Sequence, residues 1–222
     1  MALLVLVLLV SAGATGFALR PALAGTPAMW AVLAGAYGLL GAVAIFRMWR
    51  EGSLAERLKP RWGDLSIGII IAGVLLSGSW GARAIITPAG TDRQAWLWHI
   101  YLQAGPSDAI QRSYAVTGTL LLVAVLEEVV WRGMVLDLLR DRVGTRRAWM
   151  LTALLYAAAM VPTAFTLADP TAGPNPLLVL AALGCGIFWS FGASLLRRLP
   201  PVAISHMVFT YFMAVQFRPP GL

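Results

Sequence analysis

The chain has 222 residues, of which 59% are hydrophobic and 12% charged, about half the share of charge that soluble domains carry. With a mean hydropathy of +0.76 and apolar runs along its whole length, it reads as a multi-pass membrane protein rather than a soluble domain. The formal net charge of +7 does not point to nucleic acid, because the basic residues fall in short clusters between apolar runs, where membrane orientation requires them.

In chain order, the first run covers 2–19. It lacks the positive n-region of a signal peptide, its first basic residue being Arg20, and is expected to be a retained first span. Further helices are expected near 28–46, 65–84, 114–139, 148–166, 177–196 and 201–217. The last is short for a crossing that takes about 20 residues, but Pro200 and Pro201 give it a sharp start. Continuous runs disfavour a β-barrel, whose strands alternate over about 10 residues. The expected fold is all-α: a polytopic membrane helix bundle of about seven transmembrane helices. Residues 1–113 supply N-terminal transmembrane helices and an interfacial loop, and 114–217 a core, within one integral membrane domain.

Orientation follows from the loops. With seven spans, eleven basic residues fall on the side of the N-terminus (47–64, 140–147, 197–200) and five on the other, which puts the N-terminus in the cytoplasm. The longest polar connection, 85–113, contains AWLWHIYL, with Trp and Tyr flanking His99 as interface-lying segments have. His99 is read as interfacial. The single cysteine, Cys185, stands in an apolar run and is read as a small buried hydrophobe; no disulfide can form within the chain.

The fourth run contains VLEEVVWRGM, with Glu127, Glu128 and Arg132 about halfway along it. An ionisable side chain at mid-bilayer costs roughly 2.5–3.5 kcal/mol on insertion scales, so three together need a reason. Glu128 and Arg132 are four apart and pair on one helix face. Glu127 points about 100° away and has no partner on its own helix. The bland reading is a polar latch between helices. The functional one makes Glu128 and Arg132 scaffold and Glu127 the working group, since a lone carboxyl in a low-dielectric cleft suits general-base chemistry. Downstream, PVAISHMVFTYF sets His206 and Thr210 one turn apart, an imidazole and a hydroxyl able to donate to a developing oxyanion.

These residues resemble the CPBP family of intramembrane endopeptidases, which includes type II CAAX prenyl proteases and bacteriocin-processing relatives. The family's first motif, EExxxR with a following Gly, is complete as Glu127-Glu128-Val-Val-Trp-Arg132-Gly133. Its third motif, His with a small polar residue four on, is met nearly by His206 and Thr210. Its second motif, FxxxH, is degenerate: LLYAAAMVP gives Tyr156 for Phe and Met160 for His. The resemblance covers roughly 114–215 and implies a CPBP-like catalytic core in which Glu127 activates water, His206 and Thr210 stabilise the oxyanion, and Glu128 and Arg132 are structural. At Met160 it implies a water held by fewer groups.

Family members have been described both as metalloproteases and as glutamate-type enzymes. A catalytic zinc wants three protein ligands, and Met160 leaves Glu127 and His206, so no metal and no other cofactor is expected, although the resemblance keeps zinc open. The expected function is an intramembrane endopeptidase cleaving membrane-anchored or C-terminal hydrophobic segments by glutamate-activated water. Its partners are then a membrane-tethered protein or peptide substrate and the lipid bilayer, with no nucleic acid. The Arg-rich chain looks bacterial, which places it in a cytoplasmic membrane. Two alternatives stay open: an inactive relative that binds hydrophobic peptides or stabilises a partner, supported by Met160, and a small transporter or proton relay, opposed by the lack of an internal repeat.

Overall fold

The computed structural model describes residues 1–218. Among these the chain is 81% helical and has no strand. In order the helices are α1 (Ala2–Ala18), α2 (Pro27–Arg50), α3 (Leu54–Leu58), α4 (Asp64–Ile86), α5 (Gln94–Ala104), α6 (Ser107–Arg112), α7 (Tyr114–Glu128), α8 (Leu136–Val143), α9 (Thr145–Ala159), α10 (Val161–Thr166), α11 (Leu177–Leu196) and α12 (Pro200–Val215). A π-helical stretch, Val129–Val135, joins α7 to α8.

Among the described residues, four helices are long and apolar enough to cross a membrane: α2, α4, the α9–α10 pair and α11. Helices α1 and α12 are apolar but shorter, at 17 and 16 residues. Large apolar side chains such as Leu39, Ile70, Trp80, Phe165 and Leu195 stand exposed on the outside. In water such faces on so many helices would drive aggregation; against acyl chains they cost nothing. This is an integral membrane protein, and the expected all-α membrane bundle is what the chain forms.

The motif segment is the centre of that bundle. Every residue from Glu127 to Leu139 is buried, as befits a helix with neighbours on all sides. Helices α2 and α12 pack on α7, while α2, α8, α9 and α11 contact the π-helical stretch. Helix α4 lies along α12, and Gly68 permits the approach: a Cβ there would stand 2.7 Å from Ile204 Cγ2 and 2.9 Å from the Pro201 carbonyl oxygen. Small residues at such crossings let helix backbones come together where lipid gives no hydrophobic drive.

At the end of the bundle formed by α3, α8 and the start of α12, one arginine ties three elements. Arg57 forms an ion pair with Asp137 and donates to the Gly133 carbonyl at 3.2 Å, while its own carbonyl accepts from Leu199 N at 3.0 Å. Asp137 also accepts from Arg140 at 3.0 Å, and Arg198 pairs with Asp64 at the start of α4. These contacts fix the exit of the motif helix against the start of the helix that carries His206.

Three expectations change in detail. The run near 114–139 is not uniformly α-helical, because it widens into the π-helical turn directly after Glu128. The run near 148–166 breaks at Met160, since Pro162 has no N–H to continue the ladder. The polar connection 85–113 folds into α5 and α6. Helix α5 is tied to the α10–α11 loop by Trp96 Nε1 donating to the Gly173 carbonyl (3.2 Å) and Asn175 Nδ2 donating to the Trp96 carbonyl (2.9 Å). His99 Nε2 lies 3.2 Å from Asp169 Oδ2 in the same loop. Asp169 is held below the usual carboxylate range, chiefly by the backbone N–H groups of Ala172 and Thr171 and then by His99. Cys185 is buried, as read from the sequence.

Candidate active site

The site grows from the adjacent glutamates. At the end of α7 they point in different directions, so each meets a different set of helices. Glu128 Oε1 accepts from Arg132 at 3.0 Å, the pair that the four-residue spacing implies, and both side chains are fully buried. The guanidinium is further held by Ser190 Oγ (3.3 Å) and the Gly186 carbonyl (3.5 Å) of α11, and it lies 4.5 Å from the Tyr156 ring centre and 5.4 Å from that of Trp189. An arginine so enclosed is satisfied on its edges by acceptors and on its faces by aromatic rings. Gly186 makes the space: a Cβ there would stand 3.3 Å from Tyr156 Cδ1 and 3.5 Å from Arg132 Nη2.

His206 joins the two glutamates. Its Nδ1 lies 2.8 Å from Glu128 Oε1, and its Nε2 lies 3.7 Å from Glu127 Oε2. The first is a hydrogen bond; the second exceeds hydrogen-bond reach. The imidazole stacks on Trp189, ring centres 3.9 Å apart at 21°, and Trp189 is fixed by its Nε1 donating to Ser205 Oγ at 3.0 Å. A carboxylate on Nδ1 orients the ring so that Nε2 faces Glu127.

Glu127 is not the unpaired carboxyl that its own helix implies. The Tyr156 hydroxyl of α9 donates to Glu127 Oε2 at 2.7 Å. Read from the sequence, Tyr156 only replaces a Phe; in the structure its added hydroxyl is the one direct hydrogen bond from a side chain to Glu127 among the described residues. The signal was present, since a Tyr buried in a membrane bundle needs a partner, but nothing local named the acceptor.

The seven residues singled out in the sequence are therefore not all brought together. Glu127, Glu128, Arg132, Tyr156 and His206 form one contiguous buried cluster. Met160 is buried at the break between α9 and α10. Thr210, one turn beyond His206, lines a separate apolar cavity of about 700 Å³ walled mainly by α2, α4, α5, α11 and α12. That cavity abuts the cluster through Phe209 and Cys185, neighbours of Thr210 and Gly186, but its wall includes neither Glu127 nor His206.

Among the described residues, no group of three or more His, Cys, Asp or Glu side chains is arranged to hold a metal ion. Glu128 Oε1 and His206 Nδ1 are engaged with each other and Glu127 Oε2 with the Tyr156 hydroxyl, while Glu128 Oε2 has no hydrogen-bond partner. A catalytic zinc takes three protein ligands, an arrangement that the described side chains do not present.

Residues 109–212 match the family model described as type II CAAX prenyl endopeptidase Rce1-like. The matched segment runs from α6 through α12 and contains the whole buried cluster. No curated protein and no solved structure matches the chain.

Proposed function

From the premise that residues 109–212 form a domain of the Rce1-like type II CAAX prenyl endopeptidase family, we propose that this chain is an intramembrane endopeptidase in which Glu127 activates water. Membership of this protease family makes the substrates membrane-associated proteins. The observation that carries the reading is the meeting of Glu127 and His206 at 3.7 Å inside the bundle, with Glu128 and Arg132 committed to holding the imidazole rather than to chemistry.

In this mechanism Glu127 removes a proton from a water as the water oxygen bonds to the scissile carbonyl carbon. The carbonyl π electrons move onto oxygen, and an Nε2–H of His206, whose Nδ1 side is held by Glu128, stabilises that oxyanion. Collapse expels the amine, which takes up the proton from Glu127. Tyr156 aims the carboxylate throughout. Thr210, on the cavity wall one turn from His206, is the second oxyanion donor implied by the family motif, supplied once the substrate carbonyl lies between cavity and cluster. No step passes through a metal. The apolar cavity suits a membrane-anchored segment arriving by lateral diffusion, and the basic surplus on the α3 and 140–147 side supports a cytoplasmic N-terminus.

The test uses the purified full chain in lipid vesicles with a quenched-fluorescent peptide carrying a hydrophobic C-terminal anchor. Glu127→Gln should abolish cleavage while leaving the melting temperature within a few degrees of wild type, and chelators should not inhibit. Loss of activity on chelation, or full activity in Glu127→Gln, rejects the glutamate mechanism. A wild-type protein that cleaves no member of a library of such anchors would leave the inactive-relative reading in its place.

A further inference from the structure

The apolar cavity beside the buried cluster has one charged side chain in its wall, Arg83, and no acid. Arg83 stands in the last turn of α4. That helix begins at Asp64, which pairs with Arg198 at the α3 and α8 end of the bundle, so Arg83 lies about 28 Å along the helix from that end. A guanidinium bordering apolar space within a membrane bundle is expensive unless an anion meets it. Among the described residues Arg83 forms no ion pair. It is anchored instead: Nη1 donates to the Phe217 carbonyl at 3.2 Å, and the Tyr101 hydroxyl of α5 donates to the same carbonyl at 2.8 Å. That contact holds the planar group at the cavity wall and leaves its other N–H donors for a ligand. A second cation stands close by, since the Arg218 guanidinium lies 5.3 Å from the Tyr101 ring centre and its Nη2 is buried without a partner. Two guanidiniums on one tyrosine, with no carboxylate between them, favour an anion.

The other end of the cavity lies next to the catalytic cluster. Along α12 its wall runs from Thr210, one turn from His206, through Met213 and Ala214 to Phe217, roughly 10 Å at 1.5 Å per residue. An occupant that fits is apolar over most of its length, carries a negative charge at the Arg83 end and reaches the cluster at the other. A peptide C-terminus preceded by apolar residues has this pattern, and a guanidinium fork matches a carboxylate. We propose that Arg83 binds the free C-terminal carboxylate of the substrate and so selects membrane-anchored chains that end at the face opposite α3 and α8. This inference rests on the endopeptidase reading for its kinetic part only. It places substrate selection on α4 and α5, which precede the family-matched segment.

The experiment compares two forms of the anchored fluorescent peptide, one ending in a free carboxylate and one in a carboxamide, with the full chain in lipid vesicles. Wild type should show a KM for the acid roughly ten- to a hundredfold below that for the amide, the worth of a charge-assisted hydrogen bond, at similar kcat. In Arg83→Gln, whose amide can still donate to the Phe217 carbonyl, the ratio should fall to about one. Arg83→Lys, which keeps the charge but not the fork, should retain part of it. Equal KM values in wild type, or an undiminished acid preference in folded Arg83→Gln, overturn the assignment. Binding is read separately by fluorescence anisotropy of the same two peptides on Glu127→Gln in nanodiscs, where turnover plays no part. Acid-over-amide selectivity that disappears when Arg83→Gln is added upholds the site even if wild type cleaves nothing, a result that would defeat the proposed function alone. Equal binding of acid and amide overturns the site whatever the activity. Oleate at the peptide's own concentration should not displace the acid; displacement would make the cavity a fatty-acid site and overturn the peptide assignment.

Discussion

The Tyr156 hydroxyl donates to Glu127 Oε2 at 2.7 Å across the contact between the motif helix and α9. Tyr156 is buried, lies under the Arg132 guanidinium and packs against Trp131, so its hydroxyl has one place to go. A carboxylate held this way is limited to a narrow range of orientations toward His206.

Tyr156→Phe removes that bond and nothing else. Cleavage of the anchored fluorescent peptide should fall roughly ten- to a hundredfold in kcat, since hydrogen bonds to charged groups are worth about 1.5–3 kcal/mol. The melting temperature should change little. Unchanged turnover would mean that the hydroxyl does not aim the carboxylate.

Glu128→Ala should behave differently from any change at Glu127. It leaves Arg132 buried without its carboxylate and frees the Nδ1 side of His206. Removing one partner of a buried ion pair costs about 3–5 kcal/mol, so the variant should melt far lower in detergent or fail to accumulate. A variant as stable as wild type would show that Ser190, Gly186 and the aromatic faces alone hold the guanidinium.

Met160→His supplies the imidazole that the second motif lacks. With Met160 already buried at the α9–α10 break, an imidazole there should raise kcat if the position borders the reacting water. Turnover that stays flat or falls in a folded variant would place position 160 outside the site.

The loop that braces α5 should respond to pH. Asp169 has its folded pKa depressed by the Ala172 and Thr171 N–H groups and by His99. Its stabilising contribution is therefore fully present above its unfolded pKa of about 3.9 and is lost as pH falls through the lower folded value. Hydrogen exchange across 169–175 and α5 should be fast in Asp169→Asn at pH 7, and wild type should approach it only at the acid end. Identical exchange in the two proteins at pH 7 would remove Asp169 from the tie.

Composition and hydropathy alone determined that this chain is a helical membrane bundle, because the bilayer permits few other ways to satisfy a backbone within apolar runs. Spacing alone determined the Glu128–Arg132 pair, because residues four apart share a helix face whatever surrounds them. The breaks were only half legible: Pro162 announces one, while no residue in VVWRGMV announces the π-helical turn. What only the tertiary structure decided is how helices distant in the chain meet. The Tyr156–Glu127 bond spans 29 residues and the His206–Glu128 bond 78, and both depend on helix crossings and rotations that local periodicity does not specify.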